Sequence, residues 1–350
     1  MEELGYKEKE GVDLLYIQKE SYMDFLQSDV GLEKKRGYAI EDIFLRVFPI
    51  NSQNNLSSLQ YCSYHLEPSS YSEEEYQRAK LTYGANLRLK VRLIVKEKNP
   101  SDKISEISEQ EVFLGTIPLM TERATFIING VEKTIISQLQ RSPGVYFSRS
   151  QIGQDYKARI IPARGIWLEI RLEGERLFAY LGKRKILLST LLYAFESSKE
   201  EIVSYFKKEP QITKIIEEDP VFTSQEAILQ LYSLLRPGYP SSKKAASEFF
   251  HQVFYPPNYN LSEAGRLRLN RKLKINQSEL YLTKNSLLPA ISYLFNLYKG
   301  KGEVDDIDHL GNKRVRTVGE LVGEKVEVGL TRLARLIKER MNFSKEKRML

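Results

Sequence analysis

The stretch GTIPLMTERATFIINGVEKTIISQLQRSPGVYF, residues 115–147, packs turn, strand and cationic signals more densely than any other part of the chain. Asn129-Gly130 is the dipeptide that suits a two-residue hairpin, because both central residues of that turn need positive φ, so a hairpin is expected over Phe126–Ile136. Pro118 and the polar run Thr121-Glu122-Arg123 interrupt two short apolar strands. In Arg141-Ser142-Pro143-Gly144, Pro143 and Gly144 force a turn and leave Arg141 as a cation held close to a rigid backbone.

Working outward, 350 residues is long for one core and implies two domains. A content of 41% hydrophobic and 28% charged residues is that of a globular chain, which excludes disordered and fibrous classes. The longest nearly apolar run, Ile186–Phe195, is far shorter than the roughly 20 residues needed to cross a bilayer, so no membrane span is expected. The N-terminal peptide MEELGYKEKEGVD is acidic and lacks the basic and apolar regions of a secretory signal. Cys62 is the one cysteine, so there is no internal disulfide and no cysteine-based zinc site. His65, His251 and His309 are scattered. The net charge of +7 permits polyanion binding without requiring it.

Upstream, residues 14–27 read as a helix behind Asp13 as N-cap, with Leu14, Ile17, Phe25 and Leu26 near one face. A second helix is expected at Ile40–Phe48. In Asn86–Lys96, Leu87, Leu89, Val91, Leu93 and Val95 alternate with Arg88, Lys90, Arg92, Ile94 and Lys96, which describes a strand with one apolar and one cationic face. Such a face is usually solvated, though it is also how a sheet meets a phosphate backbone. Asn99–Ile107 reads as a loop before a strand at Gln110–Leu114.

Downstream, short strands from Lys157 are punctuated by Pro162, Gly165, Gly174 and Gly182. Trp167, beside the Gly165 turn, reads more readily as a core plug than as a surface stacking platform. After Leu187 the period becomes helical. Thr223 and Glu226 form a capping box for a helix that ends at Arg236-Pro237-Gly238, and further helices are expected at Lys243–Phe254, Ser286–Tyr298 and residues 318–341. Residues 265–274, GRLRLNRKLK, read as an amphipathic segment whose cations form its outer face. The tail SKEKRML stops on polar residues just after a helix, as a chain ending within a longer protein would.

Asp305-Asp306-Ile307-Asp308 is the one carboxylate cluster that could hold magnesium. Lys299, Lys301, Lys313, Arg314 and Arg316 surround it, and no second acidic cluster partners it, so a loop whose acids pair with its own bases is the plainer reading. No glycine-rich phosphate cradle or Ser-His-Asp grouping is present. Four basic knots, at Arg141, Lys183–Lys185, Arg266–Lys274 and Lys313–Arg316, suit a nucleic-acid channel, so the chain offers binding surfaces rather than a reaction centre.

Ordered segments spread along the chain carry a family resemblance: VFPI (47–50), LRLKVRLIV (87–95), the 115–147 stretch, ARIIPARGIWLEI (158–170), LLRPGYP (234–240), LSEAGRLRLNRKL (261–273) and GKGEVDDIDHLGNKRVRTVGELV (300–322). Together they resemble the N-terminal portion of the β subunit of bacterial-type multisubunit DNA-directed RNA polymerase. The resemblance implies an α+β fold of two modules: a protrusion built from residues 1–138 and 313–350, and a lobe inserted at 139–312. It implies one jaw over the DNA cleft, catalytic Mg2+ held by another subunit, and as partners DNA, the β′ and α subunits, the rest of β and a sigma factor.

By the same resemblance Trp167 would stack on a non-template-strand base and Asp308 would accept hydrogen bonds from a flipped-out guanine. Arg141, Ile307 and Arg236 would line that pocket or hold the strand, and Ile136 and Gln138 would border the rifamycin-type site. Arg314 and Arg316, in the fourth basic knot, complete the nucleic-acid-binding candidates, and no residue is assigned to catalysis or to a metal. Departures from the family pattern are Thr116, Ala124 in place of a glycine, Leu188, Asn258, and Lys313 in place of an arginine, which loses planar bidentate bonding. A bacterial cytoplasm or an organelle with a bacterial-type polymerase would house such a chain. Two readings compete with the polymerase role: a free-standing protrusion–lobe module that docks a regulator or repair factor, and a nuclease built on the Asp305–Asp308 loop.

Overall fold

The computed structural model describes residues 13–27, 39–68, 71–96, 104–149, 155–174 and 176–346. Most of the N-terminal peptide, residues 99–103 of the expected loop and the last four residues of the tail lie outside them. The chain divides into two compact units, one formed by residues 1–139 with 315–350 and one by residues 140–314. Helices and antiparallel sheets alternate in an α+β architecture.

The elements run in chain order as α1 (Tyr16–Leu26), α2 (Ile40–Val47), β1 (Ile50–Asn51), β2 (Ser57–Glu67), α3 (Glu73–Arg78), β3 (Gly84–Lys96), β4 (Ile104–Pro118), β5 (Phe126–Ile128), β6 (Val131–Lys133) and β7 (Gln138–Arg141). Then come β8 (Gly144–Arg149), β9 (Tyr156–Ile161), β10 (Leu168–Glu173), β11 (Arg176–Leu181) and β12 (Arg184–Leu187). Helices follow as α4 (Leu188–Ala194), α5 (Lys199–Tyr205), α6 (Pro210–Glu218), α7 (Ser224–Leu235), α8 (Lys243–Phe254), α9 (Ser262–Leu273) and α10 (Lys284–Tyr298). A 3-10 turn at Leu310–Asn312, β13 (Lys313–Arg316) and α11 (Val318–Glu346) close the described chain.

In the first unit the strand order is β1-β2-β3-β4. Leu87 and Leu89 of β3 are buried with Phe25, Ile40, Phe44, Ile117 and Phe126, so the period-2 pattern does select a core face. Its cations are charge-balanced by the neighbouring strands while remaining partly in solvent: Arg88 lies 2.5 Å from Glu67 on β2, and Lys90 and Arg92 lie 3.1 and 2.5 Å from Glu109 on β4. Strand β4 begins at Ile104, earlier than the sequence suggests, because β3 offers it a partner along its whole length.

Helix α1 starts at Tyr16, and Asp13 caps the preceding turn by accepting the Leu15 amide at 2.9 Å. Leu14 and Ile17 are exposed, contrary to the apolar face expected for them, while Tyr22 and Phe25 are buried. The reason is tertiary: α11 docks on the far end of α1, where the Gly319 amide donates to Ser21 Oγ and a Cβ at Gly319 would collide with the Ser21 carbonyl. The β5–β6 hairpin forms at Asn129-Gly130, with φ of 53° and 76°. Ala124, where the family pattern has glycine, takes a φ of 59°, a conformation that an L side chain adopts at a cost.

The second unit holds a five-stranded antiparallel meander, order β12-β11-β10-β9-β8. One face is apolar (Val145, Phe147, Ala158, Ile160, Leu168, Ile170, Leu177, Ala179) and packs on residues of α4 and α7–α10. The Thr223–Glu226 capping box is present at the start of α7. The buried run Leu188–Ala194 forms α4, with buried Phe195 as its C-cap; it is helical because it sits against helices as well as the sheet.

Helix α9 departs from its expected pattern. Arg266 is 3% exposed and Leu267 is 66% exposed. Three acceptors draw the guanidinium inside: Nε donates to the Glu279 carbonyl at 2.6 Å, Nη1 to Ser286 Oγ at 2.9 Å and Nη2 to the Tyr281 carbonyl at 2.6 Å. Burial holds its pKa below the usual arginine value.

On the opposite sheet face Glu169 is buried, with Arg159 Nη2 at 2.6 Å and Arg171 Nε at 2.5 Å. Burial pushes its carboxyl up, but the hydrogen bonds and charges of the two arginines outweigh that and hold it below the usual range. A carboxyl depressed on folding contributes stability above its unfolded pKa, about 4.3, and loses it as pH falls through the folded value. Glu169→Gln is expected to cost about 2 kcal/mol at pH 7, below the usual buried-pair cost because Arg171 is partly solvated. The same variant should differ much less from the parent at pH 3, and thermal melts at the two pH values check both.

Candidate nucleic-acid interface

The sheet register gathers several of the sequence candidates at one end of the second unit. Gly144 pairs with Ile161, Leu168 with both Ile160 and Leu181, and Leu181 with Arg184. The starts of β8, β10 and β12 therefore share that end with the finishes of β9 and β11. Trp167, just before β10, and the exposed Lys183 and Arg184 stand there, and so does the Arg141–Gly144 turn, about 10 Å from Trp167 at two strand spacings.

Trp167 is 42% exposed and so does not plug the core. The plug is Tyr259, fully buried: its ring lies under Gly165, where a Cβ would come within 2.6 Å of Tyr259 Cδ2, and the backbones of Arg164 and Asn260 exchange hydrogen bonds at 3.0 and 2.9 Å. Gly165 takes a φ of +121°, a conformation L side chains rarely adopt, and two residues on Trp167 stands partly in solvent. The indole therefore offers an aromatic face to solvent beside the start of β10.

The Asp305–Asn312 loop comes to the same turn. The Ser142 amide donates to the Asn312 carbonyl at 2.9 Å, next in sequence to the half-buried Arg141. Helix α9 holds both sides: a Cβ at Gly265 would sit 2.7 Å from Pro143, and Arg268 donates to the Gly311 carbonyl at 2.8 Å and to Tyr146 Oη at 3.4 Å. Ile307 is half-buried, and the side chain of Asp308 is 89% exposed with Lys313 Nζ at 3.5 Å. The three acids have separate tasks. Asp305 Oδ1 takes Lys272 at 2.7 Å and Oδ2 takes the Phe147 amide at 2.8 Å, whereas Asp306 Oδ1 takes the Asp308 amide at 2.9 Å. Among the described residues no group of three or more histidines, cysteines or carboxylates is arranged to hold a metal ion.

The remaining candidates have other surroundings. Arg236 caps α7, which contacts β12 on the other edge of the sheet, and its guanidinium carbon lies 4.6 Å from the Phe249 ring centroid and 5.8 Å from that of Tyr239. Arg314 stands beside the Arg141 turn: β13 pairs with β7, and Arg314 donates to Oε1 of Gln140, the residue before Arg141, at 3.5 Å. Arg316 is in the first unit, paired with Glu320 at 3.4 Å and Glu324 at 2.5 Å, so its charge is balanced within α11. Ile136 and Gln138 are exposed in the first unit. Lys185, in the second basic knot, is bound to Glu173 and lies 3.7 Å from the Phe178 ring centroid. Sequence reading missed Arg268 and Ser142 as parts of this cluster. The signal for Arg268 was its helical spacing on the face of α9 that also carries Gly265 and Lys272.

Comparison with known proteins places the chain in a family. Residues 141–316 match the family described as RNA polymerase Rpb2, domain 2, and residues 13–125 match the one described as RNA polymerase beta subunit. The chain belongs to the RNA polymerase β-subunit family, whose N-terminal region it represents. It is similar to proteins named DNA-directed RNA polymerase subunit beta from Gloeobacter violaceus, at 39% identity over 341 residues, and Trichormus variabilis, at 38% over 343 residues. Each match covers 95% of this chain and 29% of the relative. The corresponding protein of Myxococcus xanthus is 30% identical over 478 residues, 95% of this chain and 34% of the relative. The chain thus spans about a third or less of the length of these relatives.

Proposed function

We propose that this chain acts within a DNA-directed RNA polymerase as the protrusion and lobe of the β subunit, one jaw of the DNA cleft, and that its second unit reads the non-template strand. The assembly would join it to β′, α, the rest of β and a sigma factor, with nucleotidyl transfer and its magnesium held elsewhere. A bacterial cytoplasm is the natural setting, and no described helix is long and apolar enough to cross a membrane.

One observation carries the reading: the exposed Trp167 indole, the Arg141 turn and the loop presenting Asp308 are fixed at the same end of one sheet. An indole can replace the stacking an unpaired base loses, and a carboxylate can accept from the N–H groups of guanine. In polymerase assembled with this chain, Trp167→Ala is expected to weaken capture of the stacked base by about 1–3 kcal/mol. Asp308→Ala is expected to abolish a preference for guanine worth about 1–3 kcal/mol. Lifetimes of open complexes on promoters carrying guanine or another base at each non-template position measure both. Two variants indistinguishable from the parent at every position would overturn the proposal.

A second reading is favoured by β4, which among the described residues is the end strand of its sheet and exposes Ile107, Val112 and Phe113. Such an edge accepts a strand from a partner, as a module docking a transcription regulator would. Recovery of the chain from its source without other polymerase subunits would favour that role over the first.

A further inference from the structure

We infer that Lys272 and Asp305 are positioning residues that hold the Ile307–Asp308 tip in its binding pose, an inference that rests on the guanine-reading role proposed for Asp308. Between α10 and β13 the chain has no regular structure except the 3-10 turn at Leu310–Asn312. A carboxylate that recognises a base must nevertheless be held to within a fraction of an ångström, and a loop reaches that precision only through supporting contacts.

The first anchor is Asp305. Its amide donates to the Phe147 carbonyl at 2.7 Å and its Oδ2 accepts the Phe147 amide at 2.8 Å, so the residue closes a two-way bridge on the free edge of β8. Its Oδ1 accepts Lys272 Nζ at 2.7 Å. Both oxygens are thereby engaged in a side chain that is 18% exposed, while the carboxylate three residues on is almost wholly in solvent. One acid is built in and the other is presented.

Lys272 makes that division specific. Its stem is partly buried, and its ammonium lies 5.2 Å from the Tyr293 ring centroid and 5.9 Å from that of Phe147. Burial lowers a lysine pKa, but the hydrogen bond and charge of Asp305 outweigh it, and the group is raised above its usual value. Neither charge is well placed without the other, so the pair selects the conformation in which Asp305 faces α9. Tyr293 Oη donates to the Glu303 carbonyl at 3.1 Å and Arg268 to the Gly311 carbonyl at 2.8 Å, so the loop is held on both sides of its tip.

The test uses polymerase assembled with this chain and reads the ratio of open-complex lifetimes with guanine and with adenine at the position where Asp308→Ala acts. Lys272→Met is expected to lower that ratio about five- to ten-fold, and Lys272→Arg, which keeps the charge, to restore most of it. The double variant Lys272→Met/Asp308→Ala is expected to be no worse than Asp308→Ala, since both remove one function. If Lys272→Met assembles poorly, Asp305→Asn, which keeps the size but removes the charge and one of the two acceptors, is expected to lower the ratio in the same direction. A Lys272→Met polymerase that keeps the parental ratio while Asp308→Ala loses it would overturn the inference and leave the reading of Asp308 standing. An equal loss for every base would also overturn it, as the mark of a merely structural pair. An Asp308→Ala polymerase with the parental ratio would instead remove the reading itself, and the inference with it.

Discussion

Replacing Arg266 with methionine is expected to destabilise the second unit by about 3–5 kcal/mol. Methionine fills much of the same volume but leaves the Glu279 and Tyr281 carbonyls and Ser286 Oγ without their donor in a buried site. Arg266→Lys is expected to rescue little, because one ammonium cannot span three acceptors arranged around a planar guanidinium. Trp167 is the one tryptophan in the sequence and lies in the second unit, so its fluorescence reports that unit's urea transition directly. An unshifted Trp167 transition in Arg266→Met would show that those acceptors find other donors.

The second large effect joins stability to the interface. Gly165→Ala must place a Cβ at a φ of +121° and 2.6 Å from the ring of fully buried Tyr259. Strain at such a backbone conformation and displacement of a packed ring each cost about 1–3 kcal/mol. The ring has nowhere to go, since Tyr259 packs against Phe254 in the main core and its backbone is tied to Arg164 through Asn260. The turn is therefore expected to yield, which moves Trp167. Gly165→Ala should lose base capture to the same extent as Trp167→Ala and should shift the Trp167 emission maximum, although it leaves the indole in the chain. Parental capture with a lowered melting temperature would show that the turn and the indole are uncoupled.

The contrast between Arg266 and Arg268 shows where sequence reasoning stops. They are two residues apart in one basic segment, and charge patterning assigns both to an outer face. In the folded chain one is buried on three acceptors from the segment leading into α10 and the start of that helix, and the other holds the Asp308 loop. Leu267, the apolar residue between them, is the one left exposed. Periodicity locates a helix well, but it places the apolar stripe only when the surroundings are uniform, and here polar backbone from another segment lines one side of the helix.

What the sequence by itself determined is local. The Asn129-Gly130 hairpin, the Thr223–Glu226 capping box, the strands set off by Pro162, Gly165, Gly174 and Gly182, and α8 at Lys243–Phe254 all follow from backbone preferences and short-range hydrogen bonds, which are properties of a few neighbouring residues. Motif likeness named Arg141, Trp167, Ile307 and Asp308 as candidates. The tertiary structure decided how such residues are used. It put Tyr259 rather than Trp167 under Gly165, paired the cations of β3 and Arg316 with glutamates, set Arg236 over the Phe249 ring, and separated Asp305 as an anchor from Asp308 as the exposed acid. Each of these depends on a partner distant in sequence, and the environment of a charge or an aromatic ring is set by what the rest of the chain brings against it.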